Sequence, residues 1–275
     1  MGKKKSTKST KLLSKRNLKK TTKIGIIVFI IIAVIGIILG VVFGVIIPKA
    51  EVAEKQAILK EYWETNKQQN NETITNIKIP DYVRDIPENA FKDFTSLISV
   101  TIPYGVTHIR SSAFEGCSSL ASVVIPSSVS HILGGAFFKC TSLKSVTFIE
   151  STFTSIEPHT FFGCTLLTDL VIPSSVTSIK LQAFGGCSSL TSLVIPSSVT
   201  SIGDSAFREC SSLTSLTIED IGELDNIGDQ AFANCILTKV TINGETFTSC
   251  GAIIDKYSQI TPTVFQGNNR LENCD

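Results

Sequence analysis

Residues 190–210 read LTSLVIPSSVTSIGDSAFREC, and this stretch recurs along most of the chain. The apolar residue that opens each copy returns at steps of 23 or 24 residues. The openers are Ile74, Leu97, Leu120, Leu143, Leu167, Leu190, Leu213 and Leu237. Seven complete units and one partial unit therefore fill residues 74–250, and a period of this length is typical of a stacked solenoid.

Each unit places its apolar residues in fixed columns. Alternating positions such as Leu193 and Ile195 predict a short strand, and Pro196 predicts its end because proline lacks a backbone donor. One column is phenylalanine in all seven complete units: Phe91, Phe114, Phe137, Phe161, Phe184, Phe207 and Phe232. A unit of this size cannot bury its own apolar side chains, so stacking must turn each column into a continuous ladder.

The combined pattern is L-x-x-V/L-x-I-P, then V-x-x-I, then A-F-x-x-C-x-x-L, and it resembles the BspA-like leucine-rich repeat family over residues 74–250. The resemblance implies a right-handed α/β repeat solenoid of about 23 residues per unit, strand-rich and with short helical turns. It also implies a surface protein of a microbe that mediates adhesion or protein-protein recognition, with a host matrix or cell-surface protein as its ligand.

The N-terminal segment differs sharply from the repeats. Residues 1–23 carry nine Lys and Arg16 with no acidic residue, so the rest of the chain holds 15 of the 25 basic residues against all 24 acidic ones. Residues 24–47 contain no charge, amide or hydroxyl, and a helix of this length spans roughly 36 Å. That exceeds a hydrocarbon core of about 30 Å.

We predict that residues 24–47 form an uncleaved signal-anchor transmembrane helix, and a cleaved signal peptide is the alternative. The basic leader should stay in the cytoplasm. The prediction is thus a single-pass type II protein of the plasma membrane or cell surface, with the C-terminal repeats extracellular. Residues 48–73 are interpreted as a stalk and N-terminal cap, and residues 251–275 as a C-terminal cap and tail.

Two features accompany this segment. Gly36, Gly40 and Gly44 form a stripe of small residues spaced by four, which favours close packing of two transmembrane helices and a homodimer. Asn71 begins the sequence Asn-Glu-Thr, which is a candidate glycosylation site before the first repeat.

The outward-facing strand positions form the candidate partner-binding face. The predicted residues are Thr101, Val124, Thr147, Val171, Val194, Thr217 and Thr241. Such a β-branched column fits protein recognition along the solenoid. It also fits a structural cell-surface spacer without a specific ligand, or contact with an ordered surface such as carbohydrate or ice.

Six of the eight cysteines recur at one point of the repeat, which predicts buried free thiols rather than disulfides. The six are Cys117, Cys140, Cys164, Cys187, Cys210 and Cys235. Cys250 and Cys274 fall outside this column, and a disulfide between them would close the C-terminal end.

Catalytic signatures are missing from the sequence, which has no phosphate-binding loop, metalloprotease helix motif or nucleophile elbow. We predict no enzyme activity, no cofactor and no metal. His108 and His131 share a column with Asp85 and could in principle hold zinc, but a solvated surface column is the expectation. Nucleic acid is excluded as a partner because the repeats are acidic and the basic leader lies next to lipid.

Overall fold

The protein is described by a computed structural model over residues 74–222, 224–257, 260, 262–268 and 271. All of these residues belong to the compact unit Glu61–Asp275. Within them, no helix has both the length and the apolar character needed to cross a membrane. The leader at 1–23, the segment at 24–47 with its three glycines, the stalk at 48–73 and Asn71 lie outside the described residues, so those interpretations stay predictions.

Each coil contains two short strands. The first strands are β1 (Asn76–Lys78), β3 (Ser99–Thr101), β5 (Ser122–Ile125), β7 (Ser145–Phe148), β9 (Asp169–Leu170), β11 (Ser192–Ile195), β13 (Ser215–Ile218) and β15 (Lys239–Ile242). The second strands are β2 (Asp85–Ile86), β4 (His108–Ile109), β6 (His131–Ile132), β8 (Ser155–Ile156), β10 (Ser178–Ile179), β12 (Ser201–Ile202) and β14 (Asn226–Ile227).

Neighbouring coils pair in parallel and in register. Leu193 lies opposite Leu216 and Val194 opposite Thr217, 23 residues further along the chain. This confirms the strand-rich repeat solenoid that the period predicts.

The two sheets are interrupted at different coil junctions. The first strands form one sheet in the order β1-β3-β5-β7-β9 and continue in a second sheet from β11. The second strands form β2-β4-β6 and, separately, β14-β12-β10-β8. The junction that lacks β6–β8 pairing keeps β5–β7 pairing, and the junction that lacks β9–β11 pairing keeps β10–β12 pairing.

The phenylalanine column forms a stacked ladder through the centre of the core. Successive rings from Phe91 to Phe232 lie 5.2–5.4 Å apart, with their planes within 17° of parallel. Phe265 from the C-terminal region extends the ladder at 6.1 Å from Phe232. These rings are at most 1% exposed, and burial of each contributes roughly 1.5–3 kcal/mol.

The segment that carries the phenylalanine forms tight turns instead of the expected short helical turns. No helix is present among residues 74–222 and 224–249. The backbone N–H of Phe114 donates to Ala136 O in the next coil at 2.8 Å. Ser112 and Gly116 on either side adopt φ values of 56° and 71°. A helix needs negative φ throughout and bonds within its own chain segment, so the α part of the predicted α/β class is wrong for the repeats.

Serine and threonine side chains add hydroxyl ladders between the coils. Fourteen hydroxyls each donate to a backbone carbonyl of the preceding coil at 2.8–3.4 Å. They belong to Thr107, Ser118, Ser128, Ser130, Thr141, Thr165, Thr168, Ser175, Thr177, Ser188, Ser198, Thr200, Thr214 and Thr238. These hydroxyls therefore link each coil to the preceding one.

The C-terminal end of the solenoid is covered by elements of a different kind. Strand β16 (Glu245–Phe247) pairs antiparallel with β15. Helix α1 (Cys250–Lys256) and a 3-10 helix (Pro262–Phe265) follow. Thr263 O and Val264 O accept backbone bonds from the last phenylalanine segment at 3.0 and 2.9 Å. These elements therefore cap the phenylalanine ladder and the last of the first strands, β15.

Candidate binding face

The outer side of the first strands presents the predicted column to solvent. Thr101, Val124, Thr147, Val171 and Val194 are exposed, and Thr217 and Thr241 are half-buried. Val171 is 78% exposed, and Val124 and Val194 are each 49% exposed. Six of the seven predicted residues lie in first strands and Val171 directly follows β9; we call the surface that carries them the strand face.

Alternation along each strand explains why these side chains face outward. In β5, Val123 and Ile125 are buried in the core while Ser122 and Val124 are exposed. Because side chains alternate between the two sides of a strand, the residue two places before each column residue, which is serine in most units, shares the strand face. That second column contains Ser99, Ser122, Ser145, Asp169, Ser192 and Ser215.

A cavity of about 500 Å³ interrupts the strand face beside β7 and β9. Thr147 and Val171 line it from the column, and Glu150 and Asp169 add two carboxylates. Ser151 lines the same cavity, and its buried Oγ has no hydrogen-bond partner. The fourth unit has no proline after its first strand, and Glu150 in that loop has a φ of 39°. The face is therefore recessed at this irregular unit.

Sequence reasoning missed one exposed aromatic residue. Tyr104 is 78% exposed directly after Ile102 and Pro103. Other units have serine here, as at Ser127 and Ser197. That departure was the available signal, because solvent-exposed aromatic side chains are typical anchors in protein interfaces.

The six column cysteines are free and buried, as predicted. Each thiol donates to the carbonyl of a ladder phenylalanine in the preceding coil at 3.1–3.4 Å. Burial raises the pKa of the Cys117 and Cys187 thiols to about 12. Since the thiolate is the reactive form, these cysteines support the core and are not nucleophiles at neutral pH.

Cys250 behaves differently from the column cysteines. It is disulfide-bonded and buried at the start of α1. Its predicted partner Cys274 lies outside the described residues, so that pairing stays a prediction.

The histidine column does not gather three metal ligands. Asp85 is held by Arg110, whose guanidinium donates to both carboxylate oxygens at 2.6–3.0 Å. His108 and His131 stack on each other with ring centroids 4.6 Å apart. Among the described residues, no group of three or more His, Cys, Asp or Glu side chains is arranged to hold a metal ion. The three-residue zinc site considered for Asp85, His108 and His131 is therefore not formed.

Comparison with known proteins agrees with this architecture. Six copies of the BspA type leucine-rich repeat region match the chain, over residues 65–191 and 178–274. No curated protein matches it.

Solved structures of bacterial leucine-rich repeat proteins are similar. One from Eubacterium ventriosum has 28% identity and a TM-score of 0.55, and the match covers 61% of this chain and 44% of that one. One from T. pallidum has 29% identity and a TM-score of 0.50, with 63% and 71% covered. A leucine-rich cell surface protein from Faecalibacterium prausnitzii has 29% identity and a TM-score of 0.48, with 61% and 60% covered. The chain thus spans about half of the Eubacterium and Faecalibacterium proteins, at 44% and 60% of their lengths.

Proposed function

Because the chain belongs to the BspA-type leucine-rich repeat family, we propose that it recognises proteins through the strand face. The observation that carries this proposal is the column of exposed β-branched side chains, with Val171 at 78% and Val124 and Val194 at 49% exposed. Apolar side chains left in water on the strand face favour association, because their burial releases roughly 25 cal/mol per Å².

The dimensions of the strand face suit a protein ligand. Eight first strands spaced by about 4.8 Å extend over roughly 34 Å, which is the scale of an interface that buries more than about 1,000 Å². The cavity of about 500 Å³ beside Val171 can accept a protruding side chain. Its carboxylates Glu150 and Asp169 favour a basic one, such as Lys or Arg.

We further propose that this recognition serves adhesion at the cell surface. The apolar segment at 24–47 and its basic leader support a type II anchor with the repeats outside. A homodimer through Gly36, Gly40 and Gly44 would present two strand faces. Two faces held together bind a surface more tightly than one, because the second contact becomes intramolecular.

The proposal is non-enzymatic. His159, which belongs to no histidine pair, makes T-shaped ring contacts with Phe138 and Phe162 at centroid distances of 6.4 and 5.9 Å. The cavity groups Glu150 and Asp169 lie among serine, threonine and apolar side chains, which include Phe148 and Val171. Such a lining fits binding of a partner side chain.

Direct binding tests the proposal. The soluble fragment of residues 49–275 is assayed against matrix proteins, host cells and the parent cell surface. The double variant Val171→Lys and Val194→Lys places two cations on the strand face and should abolish saturable binding. Its matched control is Leu166→Lys with Leu181→Lys, since these two leucines are each 44% exposed and lie outside the first strands. The control should bind as the unchanged fragment does.

Two outcomes would contradict the proposal. Equal loss in both variants would point to added charge in general, and not to the strand face. A folded fragment that binds none of these surfaces would favour the structural spacer.

A further inference from the structure

The second strands are interrupted between β6 and β8, and a cavity lies at this interruption. Every other junction between second strands, from β2 to β14, is paired. The cavity has a volume of about 320 Å³ and is lined from both sides, by residues such as Ile132 and Ser155. This volume is near the lower limit of pockets that hold small molecules. We call it the gap cavity.

Missing backbone hydrogen bonds define the polar lining of the gap cavity. At the junctions on either side, two N–H groups of each second-strand segment donate to carbonyls of the preceding coil. One equivalent bond across the gap would join Ser155 N to Ser130 O, and the other would join Glu157 N to Ile132 O. Neither bond is formed between these described residues, and all four residues line the cavity. Two donors and two acceptors are therefore left without the backbone partners that such groups normally have.

The side chain of Phe153 distinguishes the coil that opens the gap. Five coils have valine at the equivalent position, and the last complete coil has Leu224. That last coil also has a longer loop before its second strand, yet β12 and β14 pair. A longer loop alone therefore does not open a gap, and we attribute it to the larger buried ring of Phe153.

The shape of the gap cavity suits a compact ligand better than an extended chain. Directly after the second strands, Gly135 N donates to Pro158 O at 3.0 Å, so the two coils close again at that end. A peptide strand inserted between β6 and β8 would need them about 9.6 Å apart, which is two strand spacings. Phe137 and Phe161 of the same two coils are only 5.4 Å apart. A short ring-shaped ligand is compatible with this closure, whereas a continuous strand is not.

The lining favours a ligand whose groups both donate and accept hydrogen bonds. One hydroxyl can accept from an N–H and donate to a carbonyl at the same time, so it can bridge one open pair. The two open pairs are two residues apart along the strand, or about 6.8 Å, a separation comparable to that of hydroxyls on opposite sides of one sugar ring. Leu133 and Phe153 supply apolar contacts for the C–H groups of such a ring.

The charge of the lining selects among sugars. Glu157 lines the gap cavity, and its carboxylate forms no ion pair with a described residue. A carboxylate accepts hydrogen bonds from hydroxyls and repels a second carboxylate. The ligand should therefore be uncharged.

We propose that the gap cavity binds one uncharged hexose unit, either free or at the end of a glycan. The cavity has the volume of roughly ten water molecules, which is enough for one sugar ring and too little for a longer chain. The site belongs to the second strands and does not depend on the strand face. It therefore adds sugar recognition to the protein recognition proposed above.

Saturation-transfer difference NMR tests this site on the full chain, in a detergent without a sugar headgroup. The probes are glucose, galactose and mannose, their methyl glycosides, and the corresponding uronic acids. At least one neutral hexose should receive saturation, and a titration gives its Kd. Binding of the methyl glycoside as well extends the site to glycan ends, and binding of the free hexose alone limits it to free sugar. The uronic acid of the same sugar should bind roughly fivefold more weakly, and Glu157→Gln should narrow this difference.

Ser155→Ala separates ligand binding from folding. Ser155 Oγ is buried, lines the gap cavity and has no hydrogen-bond partner. Because its removal breaks no bond of the folded chain, the melting temperature should not fall. Hexose binding should weaken roughly threefold to tenfold, which corresponds to one lost hydrogen bond.

Ser178→Ala is the matched control for this variant. Ser178 is the register partner of Ser155 in the next coil, and its Oγ is also buried without a hydrogen-bond partner. It does not line the gap cavity, so this variant should bind hexose as the unchanged chain does. The strand-face variant Val171→Lys with Val194→Lys should also retain hexose binding, which separates failure of this site from failure of the strand face.

Three results would overturn the proposal. The first is an absence of saturation transfer to every neutral hexose and glycoside. The second is unchanged affinity in Ser155→Ala, and the third is an equal loss in Ser155→Ala and Ser178→Ala.

Discussion

Removal of one ring from the middle of the phenylalanine ladder provides a direct measure of what holds the coils together. Phe184 is fully buried, and its ring stacks between Phe161 at 5.3 Å and Phe207 at 5.2 Å. A buried Phe→Ala change costs about 3–5 kcal/mol. Each aromatic pair adds about 0.5–1.5 kcal/mol beyond burial. Loss of two such pairs places Phe184→Ala at the upper end, about 4–5 kcal/mol.

Phe265 is the natural comparison because it ends the ladder. Its ring has one stacked neighbour, Phe232, at 6.1 Å and a plane angle of 23°. Phe265→Ala should therefore cost about 3 kcal/mol. Phe184→Leu retains most of the buried volume and loses only the ring stacking, so it should cost about 1–2 kcal/mol.

Urea unfolding of residues 49–275, followed by circular dichroism, measures these differences. The slope of the free energy against urea must stay constant for the comparison to be valid. A cost for Phe184→Ala that is below about 2 kcal/mol, or no greater than that for Phe265→Ala, would refute the view that stacking through the ladder stabilises the coils.

Three further predictions concern the cysteines and the glycines. The pKa of a free thiol is near 9.0, whereas burial raises the pKa of Cys117 to about 12. The free energy of unfolding should therefore be full below pH 9 and fall as pH rises towards 12. When it is measured by urea unfolding at several pH values, Cys117→Ala should make this fall less steep by up to about 1.4 kcal/mol per pH unit. Gly228→Ala should cost at least about 1–3 kcal/mol in the same assay, because its Cβ would lie 2.4 Å from Asp204 N. Mass spectrometry after alkylation in urea should find two protected cysteines without reductant, Cys250 and Cys274, and none with it; protection of any column cysteine would contradict the free-thiol assignment.

The sequence predicts the stacking of the coils well because equivalent residues in consecutive units become partners in neighbouring strands. Once Val194 and Thr217 occupy equivalent places in consecutive units, parallel pairing at a step of 23 residues follows. The strand face could be predicted for the same reason, since alternation in a strand assigns Val123 to the core and Val124 to solvent. Periodicity thus determines those features that are the same in every coil.

Features that depend on the geometry of one coil could not be predicted in this way. The positive φ of Ser112 replaces a helical turn with a tight turn, and a Ser-Ala-Phe sequence does not reveal that choice. The cavity beside Val171 arises where one unit departs from the pattern. The stacking of His108 on His131 depends on how the two side chains are oriented, which the repeat pattern does not specify.

The staggered interruptions of the two sheets affect how the solenoid would respond to mechanical tension. Under the proposed anchoring and adhesion, a pulling force would act along the chain, and a coil junction without strand pairing in either sheet would part first. Here the gap between β6 and β8 is bridged by β5–β7, and the gap between β9 and β11 by β10–β12. The aromatic stack also crosses both junctions without a break. Because the two interruptions are offset, every coil junction from β1 to β15 keeps at least one pair of hydrogen-bonded strands, so no junction would part without breaking strand pairing.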